Sequence, residues 1–408
     1  MDDDAMILKG IKVLDVASFI AGPVAATIMA DFGAEVIKVE PPGGDRYRNL
    51  HTVAGMPEVE QPYHWLVDNR NKRGLQLDLQ NEAGREVLRH LASRADVFVT
   101  NYTRPARAKL GLRYQDLAPL NERLIYASLT AYGETGPEAD QTGFDTTAYW
   151  ARSGLMDQVR PDPDGPPARS MPGMGDHPTG VALLSAIMLA LYRRDRTGKG
   201  GKVHTSLLAN GAWSNAYMAQ AALFGAAIPP RPRREVARNA MSNHYQSRDH
   251  RWFILTAANE AREWERFPAA VGRPELLTDK RFATTEARNA NAALLVQILD
   301  HIFAERDWPY WRDTLAEHRI TVGEVAKGED ILNDRQMHEG GALIDSSEAG
   351  IGVDRLIDSP VWVDGAVKRR PSRAPEVGEH TREILLEAGY DDAAIAELRE
   401  HGAIGQET

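Results

Sequence analysis

Ile11-Lys12-Val13-Leu14-Asp15-Val16, then the turn Ser18-Phe19-Ile20-Ala21-Gly22-Pro23, the segment Val24–Asp31, Gly33, and Glu35-Val36-Ile37-Lys38-Val39 decide how this chain is read. The outer runs are short, apolar and rich in β-branched residues, as strands inside a sheet are. Val24–Asp31 reads as a helix between them, and Gly33 supplies the left-handed residue expected just past a helix end. Strand, helix and strand in so few residues is one α/β unit.

The same rhythm continues outward. Pro41-Pro42-Gly43-Gly44 stops the second strand. Leu75-Gln76-Leu77-Asp78-Leu79 alternates apolar and polar, so it reads as a strand. Asn81 then caps a helix running to Ser93, with Ala83, Val87, Leu88 and Leu91 on one face. Asp96–Val99 and Leu124–Leu129 are further strands. Repeated units of this kind predict an α/β fold with a mostly parallel sheet and helices on both faces.

From Gly143 the pattern changes. A loop rich in Pro, Gly and Asp, Arg160 to Gly175, precedes an apolar helix from about Thr179 to Arg196. Thr197-Gly198-Lys199-Gly200-Gly201 breaks it, and Lys202–Ser206 is a strand leading into another helix. Pro229-Pro230-Arg231-Pro232-Arg233-Arg234 is the clearest linker, followed by a segment with its own strand, Trp252–Thr256. The expected organisation is therefore a large Rossmann-like domain whose N-terminal part is 1–200, a linking strand and helix at 201–228, a smaller α/β domain at 229–328, and a return to the large domain at 329–408. Helices starting at Thr381 and Asp391 close the chain.

Composition excludes several function classes. The formal net charge of −10 leaves no general basic surface for a nucleic acid backbone. With no cysteine, the chain has no disulfide, no thiolate metal site and no Cys nucleophile. The twelve histidines show no metal-ligand spacing, so no metal is expected. Met1-Asp2-Asp3-Asp4 is the opposite of a basic signal-peptide start, and Val181–Tyr192 is shorter than the ~20 apolar residues a membrane span needs. A soluble, cytoplasmic protein without a nucleic acid or membrane partner is expected.

Three phrases lie at turns after strands: Leu14-Asp15 with Ala21-Gly22-Pro23, Asp31 to Pro41, and Asn71-Lys72-Arg73-Gly74-Leu75-Gln76-Leu77-Asp78. Ligands of open α/β sheets bind outside the carboxyl ends of strands. Lys38, Arg46, Arg48, Lys72, Arg73, Arg104 and Lys109 put positive charge near such turns, which suits a phosphorylated ligand and equally suits a solvated surface. Asp176, in Gly175-Asp176-His177-Pro178-Thr179-Gly180, has two readings: a cap of the helix beyond it, and a carboxylate nucleophile. The ordinary carboxyl pKa of ~3.9 and the positive helix end both argue for an anion there. His177 reads as a surface histidine.

These phrases, with Asn101-Tyr102, Lys109-Leu110-Gly111-Leu112, Ala127 to Gly133, Thr197-Gly198-Lys199-Gly200 and Arg373-Ala374-Pro375 … Gly378-Glu379-His380-Thr381, resemble the class III coenzyme A transferases over nearly the whole chain. The family includes formyl-CoA transferase, carnitine CoA-transferase and α-methylacyl-CoA racemase. The resemblance implies an interlocked homodimer and CoA as co-substrate, passed from an acyl-CoA to a small carboxylic acid. It implies Asp176 as the nucleophile, reacting through an aspartyl anhydride and an aspartyl-CoA thioester. It places CoA against Ile20, Ala21, Leu77, Asn101, Tyr102 and Lys109. Lys38, Arg73, Arg104 and Asp145 join that set as neighbouring charges, although Asp145 reads equally as a helix cap. Ile20 and Pro41 stand where formyl-CoA transferase has Gln and Arg, which argues for a different acid substrate. Phe144 stands where the racemase has a proton-carrying His, which disfavours racemisation. An acyl-CoA racemase or isomerase, and a non-catalytic acyl-CoA-binding paralogue, are the alternative readings.

Overall fold

The computed structural model describes residues 6–405; the acidic start Met1–Asp4 lies outside the described residues. Six parallel strands form the main sheet: β1 (Lys12–Asp15), β2 (Glu35–Glu40), β3 (Arg73–Gln76), β4 (Val97–Thr100), β5 (Ile125–Thr130) and β6 (Gly201–Ser206). Their order is β3-β2-β1-β4-β5-β6, so the direction of winding reverses between β1 and β4. That reversal is the point at which doubly wound sheets open a crevice for ligands.

Side chains alternate between two apolar layers, as a sheet covered on both faces requires. Val13, Val97, Val99, Ile125 and Ala127 face α1 (Ala21–Asp31), whose eleven residues are all buried. Leu14, Phe98 and Tyr126 face the other layer, where Val87, Leu88 and Leu91 of the helix Glu82–Ala92 pack with Ile384, Leu385, Ile395 and Leu398. Asn81 caps the helix Glu82–Ala92 by accepting from the Ala83 amide at 3.0 Å.

Two compact units are present. One gathers the chain up to Met156, Arg169–Ala226 and the chain from Gln336 onward. The other comprises Asp157–Ala168 and Ala227–Arg335, with its own antiparallel strands and an aromatic core of Tyr245, Phe253, Phe303, Trp308 and Trp311.

Three local expectations differ from the structure. Helix α1 starts at Ala21 rather than Val24. Pro23 is harmless there because the first-turn N–H it lacks has no partner in the helix. Strand β3 ends at Gln76, not Leu79: the Leu77 amide still donates to Glu40 O at 2.8 Å, but Asp78 N turns away to Ala403 O at 2.9 Å. The helix expected from Thr179 begins at Asp176 and runs to Thr197. Its close packing on α1 depends on Gly180, where a Cβ would lie 2.7 Å from Val24 Cγ1 and 2.8 Å from Ala21 O.

Candidate active site

The switch point sets the first part of the site. Beyond β1 the chain runs through Ala17, Ser18, Phe19 and Ile20 into α1, and beyond β4 it reaches Asn101. Asn101 clamps this loop on both sides, accepting from Ser18 N at 2.8 Å and donating to Ser18 O at 2.6 Å. Asp45 holds it from below, accepting from Ser18 Oγ at 2.8 Å and Phe19 N at 3.1 Å. Phe19 is thereby kept at φ +60, a left-handed conformation that a bulky residue rarely adopts.

A groove runs along the carboxyl ends of β1 to β4 in two adjoining cavities of about 290 Å³ each, which share Val39, Pro41 and Tyr102. Leu77, Leu79 and Lys109 line one, and Ser18, Asp45 and Arg46 the other. Lys109 and Arg46 are both exposed, so the groove has a cation at each cavity.

The other basic residues read from sequence are occupied elsewhere. Lys38 is fully buried, 3.4 Å from Asp45 and 3.9 Å from Asp15, and it donates to Ala17 O. Burial works against its charge, but Asp15, Asp45 and Glu40 outweigh it and raise its pKa. Lys72 is buried against Asp15 at 2.8 Å, and burial lowers its pKa to about 8. These two lysines are tied to carboxylates and carbonyls of the sheet's loops. Arg73 lies at the amino end of β3, away from the groove, paired with Glu383 at 2.6 Å and Glu387 at 2.8 Å. Arg104 is exposed and turned to Glu134 O at 3.1 Å and Asp140 at 3.4 Å. Of the three expected beside the nucleotide, Lys38 and Arg73 are thus paired with protein carboxylates, while Arg104 stays exposed with one carbonyl and one loose ion pair.

The second part of the site is the start of the helix Asp176–Thr197. The cap position is Gly175, and no side chain caps the helix, so the capping reading of Asp176 does not hold. Asp145 does not cap its own π-helical turn, Asp145–Ala151, either. Its carboxylate, 5% exposed, reaches across to accept from Gly173 N at 2.9 Å and Gly175 N at 3.4 Å. Asp145 therefore fixes the loop that delivers Asp176.

Asp176 is half-buried, and its surroundings oppose its charge. Burial, then Asp145 and Asp68, push its pKa up to about 7, while His177 pulls the other way. This departs from the unperturbed carboxylate expected from the sequence: desolvation and two neighbouring carboxylates oppose the charge. His177 is exposed, as expected of a surface residue, yet its Nε2 lies 3.1 Å from Asp68 Oδ1 and its Nδ1 3.0 Å from Gly173 O. Asp68 also accepts from the Tyr47 hydroxyl at 2.5 Å, and burial followed by Asp68 raises the Tyr47 pKa. Neither Asp68 nor Tyr47 was singled out by sequence; isolated polar residues in a helix and a turn carry no motif.

Ile20 joins the two parts. It is buried as the cap residue of α1, and its Cδ1 lies 3.9 Å from where a Gly173 Cβ would stand. Ala21 starts the helix packed against Gly180. Phe19 meets Phe144 edge-on at 5.9 Å. The loop Ala17–Ile20 thus borders the groove on one side and the Asp176 loop on the other.

A doubly wound sheet with a groove at its switch point, two cations along the groove and a perturbed carboxyl at a nearby helix start is the architecture of an enzyme handling an extended, phosphorylated ligand. The model of CoA-transferase family III matches residues 8–381, and the chain belongs to that family. It is 32% identical to (R)-2-hydroxy-4-methylpentanoate CoA-transferase of Clostridioides difficile, over 97% of this chain and 98% of that one. It is 30% identical to succinyl-CoA:glutarate CoA-transferase of Homo sapiens, over 98% of this chain and 90% of that one. A CAIB/BAIF family protein from Brucella suis has the same fold, with a TM-score of 0.81 at 31% identity, over 94% of this chain and 99% of that one. The chain is a class III CoA-transferase with CoA as co-substrate, and no helix among the described residues is long and apolar enough to cross a membrane.

Proposed function

We propose that this enzyme moves CoA from an acyl-CoA donor to a carboxylic acid with Asp176 as the nucleophile. The observation that carries the reading is the loop Ala17–Ile20, which adjoins both the groove and the loop bearing Asp176. CoA lies along the groove, its nucleotide against Leu77 and Tyr102 and its phosphates near Lys109 and Arg46, and its thioester points towards Ile20. Asn101, Ile20 and Ala21 shape the loop rather than bind charge.

In the chemistry proposed, the Asp176 carboxylate attacks the donor thioester carbonyl, and the C–S bond breaks to give an aspartyl–acyl anhydride and CoA thiolate. The thiolate returns to the aspartyl carbonyl, releasing the donor acid and leaving an aspartyl-CoA thioester. The acceptor carboxylate attacks that thioester to form a second anhydride, and CoA then moves onto the acceptor acyl group, freeing Asp176. Phe19, Ile20 and Phe144 favour an acid with an apolar body over a small dicarboxylate. The same Phe144 offers no proton carrier for racemisation, and Asp145 is committed to two amides.

A homodimer is part of the proposal. Trp213, Tyr217, Leu223 and Phe224, on the consecutive helices Leu207–Ser214 and Ala216–Leu223 and the residue after them, are each more than 80% exposed, which is unusual for large apolar side chains outside an interface. A cytoplasmic location completes it.

The test is to incubate the protein with several acyl-CoAs and a panel of 2-hydroxy acids and dicarboxylates, and to identify new thioesters by mass. Hydroxylamine added during turnover should convert Asp176, and no other carboxyl, to a hydroxamate. Transfer without any modification at Asp176 would refute the covalent route.

A further inference from the structure

His177 is gripped from two directions, and both partners are acceptors. Asp68 Oδ1 lies 3.1 Å from Nε2, and the Gly173 carbonyl oxygen 3.0 Å from Nδ1. A neutral imidazole has one N–H, so one of these contacts would set a lone pair against an oxygen. Only the doubly protonated ring donates to both. Asp68 is itself fixed, with a side chain 1% exposed and its second oxygen accepting from Tyr47 at 2.5 Å.

The charged and titratable groups around this ring come from every neighbouring element. Asp176 precedes it on its own helix, and Asp68 and His64 stand on the helix Tyr63–Asn69. Tyr47 lies in the 3-10 turn Arg46–Thr52, and Asp145 holds the loop at Gly173. His64 is turned away, its Nε2 2.6 Å from Tyr47 O. Among the described residues that act on Asp176, two are carboxyls and one is a cation.

We propose that Asp68 and His177 are a positioning pair: Asp68 holds His177 as an imidazolium, and that fixed cation keeps the Asp176 carboxyl ionised in a carboxylate-rich pocket. The inference rests on reading Asp176 as the nucleophile. Without the His177 cation, burial, Asp145 and Asp68 would all favour the protonated acid, which cannot attack a thioester. The direction agrees for the ring too: burial acts to lower the His177 pKa, but Asp68 overrides it and lifts it to about 8.

Two measurements test the pair. In the first, the His177 ring is titrated by NMR without any substrate. Its midpoint should lie above the ordinary ~6.5, and Asp68→Asn should lower it. Asp176→Asn should lower it as well, because coupling between two sites is reciprocal. A wild-type midpoint at or below the ordinary value, or one that neither variant moves, overturns the proposal. In the second, kcat/KM is followed against pH. His177→Gln should move the acid limb to higher pH, with the rate recovering above it. A uniform loss at every pH with the limb unmoved would mark His177 as merely structural and overturn the proposal. The shifts expected in the NMR titration, found in a protein that transfers no CoA, would support the pair and sink the nucleophile reading, so the two failures can be told apart.

Discussion

Asp145 accepts a 2.9 Å hydrogen bond from the amide of Gly173, a residue 28 positions further along the chain and three before Asp176. One carboxylate thus does two things to the proposed nucleophile: it fixes the loop that carries Asp176, and its charge helps raise the Asp176 pKa to about 7, after the larger effect of burial.

The two effects separate by substitution. Asp145→Asn keeps an oxygen for the Gly173 amide and removes the charge. Asp176 then ionises more easily, and the acid limb of kcat/KM that Asp176 would set should move down by about 0.5–1 unit. Asp145→Ala removes the hydrogen bonds as well and should lower kcat at every pH. An acid limb that moves upward in Asp145→Asn would contradict the electrostatic assignment.

Asp176→Asn should abolish transfer, by at least about 10³-fold in kcat, since an amide is no nucleophile here. The same variant should be more stable than the wild type in alkaline solution. The folded pKa of Asp176, about 7, is above the ordinary 3.8. Its favourable contribution is therefore fully present below the unfolded value and lost as pH rises through the folded one. Asparagine does not titrate. The gain in Tm should grow from about pH 4 to about pH 7 and stay level beyond, amounting to a few degrees by calorimetry.

Much of this architecture was legible because it is written in local patterns. β1, β2, β4 and β5 follow apolar runs, and Asn81 caps its helix as its position before Glu82 suggests. The charges were not legible. Lys38, Lys72 and Arg73 look alike beside strand ends, yet Lys72 reaches Asp15 across 57 residues and Arg73 reaches Glu387 across 314. Spacing along the chain carries no trace of such pairs, because the sheet order that creates them is set by packing of the whole domain. Asp68 was invisible for the same reason: its partners, Tyr47 and His177, come from a turn 21 residues before it and a helix 109 residues after it.

Lys109 and Lys38 should therefore behave in opposite ways. Lys109→Ala removes an exposed groove cation and should raise KM for the acyl-CoA about tenfold with kcat little changed. Lys38→Met strands Asp45 without its cation inside the protein and should cost about 3 kcal/mol in urea unfolding. If Lys38→Met instead folds normally and loses only CoA affinity, the structural role assigned to Lys38 is wrong.

Gly180 makes the last prediction, because the clash a side chain would meet there is partly with backbone. In Gly180→Ala the added carbon would stand 2.8 Å from Ala21 O and 2.7 Å from Val24 Cγ1. Val24 Cγ1 can be trimmed away, but the carbonyl and Val24 Cβ, the latter also 2.8 Å away, stay in place. The helix bearing Asp176 must then lift off α1, at about 1–3 kcal/mol. Because the groove belongs to the sheet and α1 while Asp176 belongs to the other helix, the displacement should lower kcat far more than it raises KM for the acyl-CoA. Adding Val24→Ala should restore little of the stability or the kcat, since the contacts with Ala21 O and with the retained Val24 Cβ, both 2.8 Å, persist. Full recovery of both in the double variant would show that the backbone contact does not set the distance between nucleophile and groove.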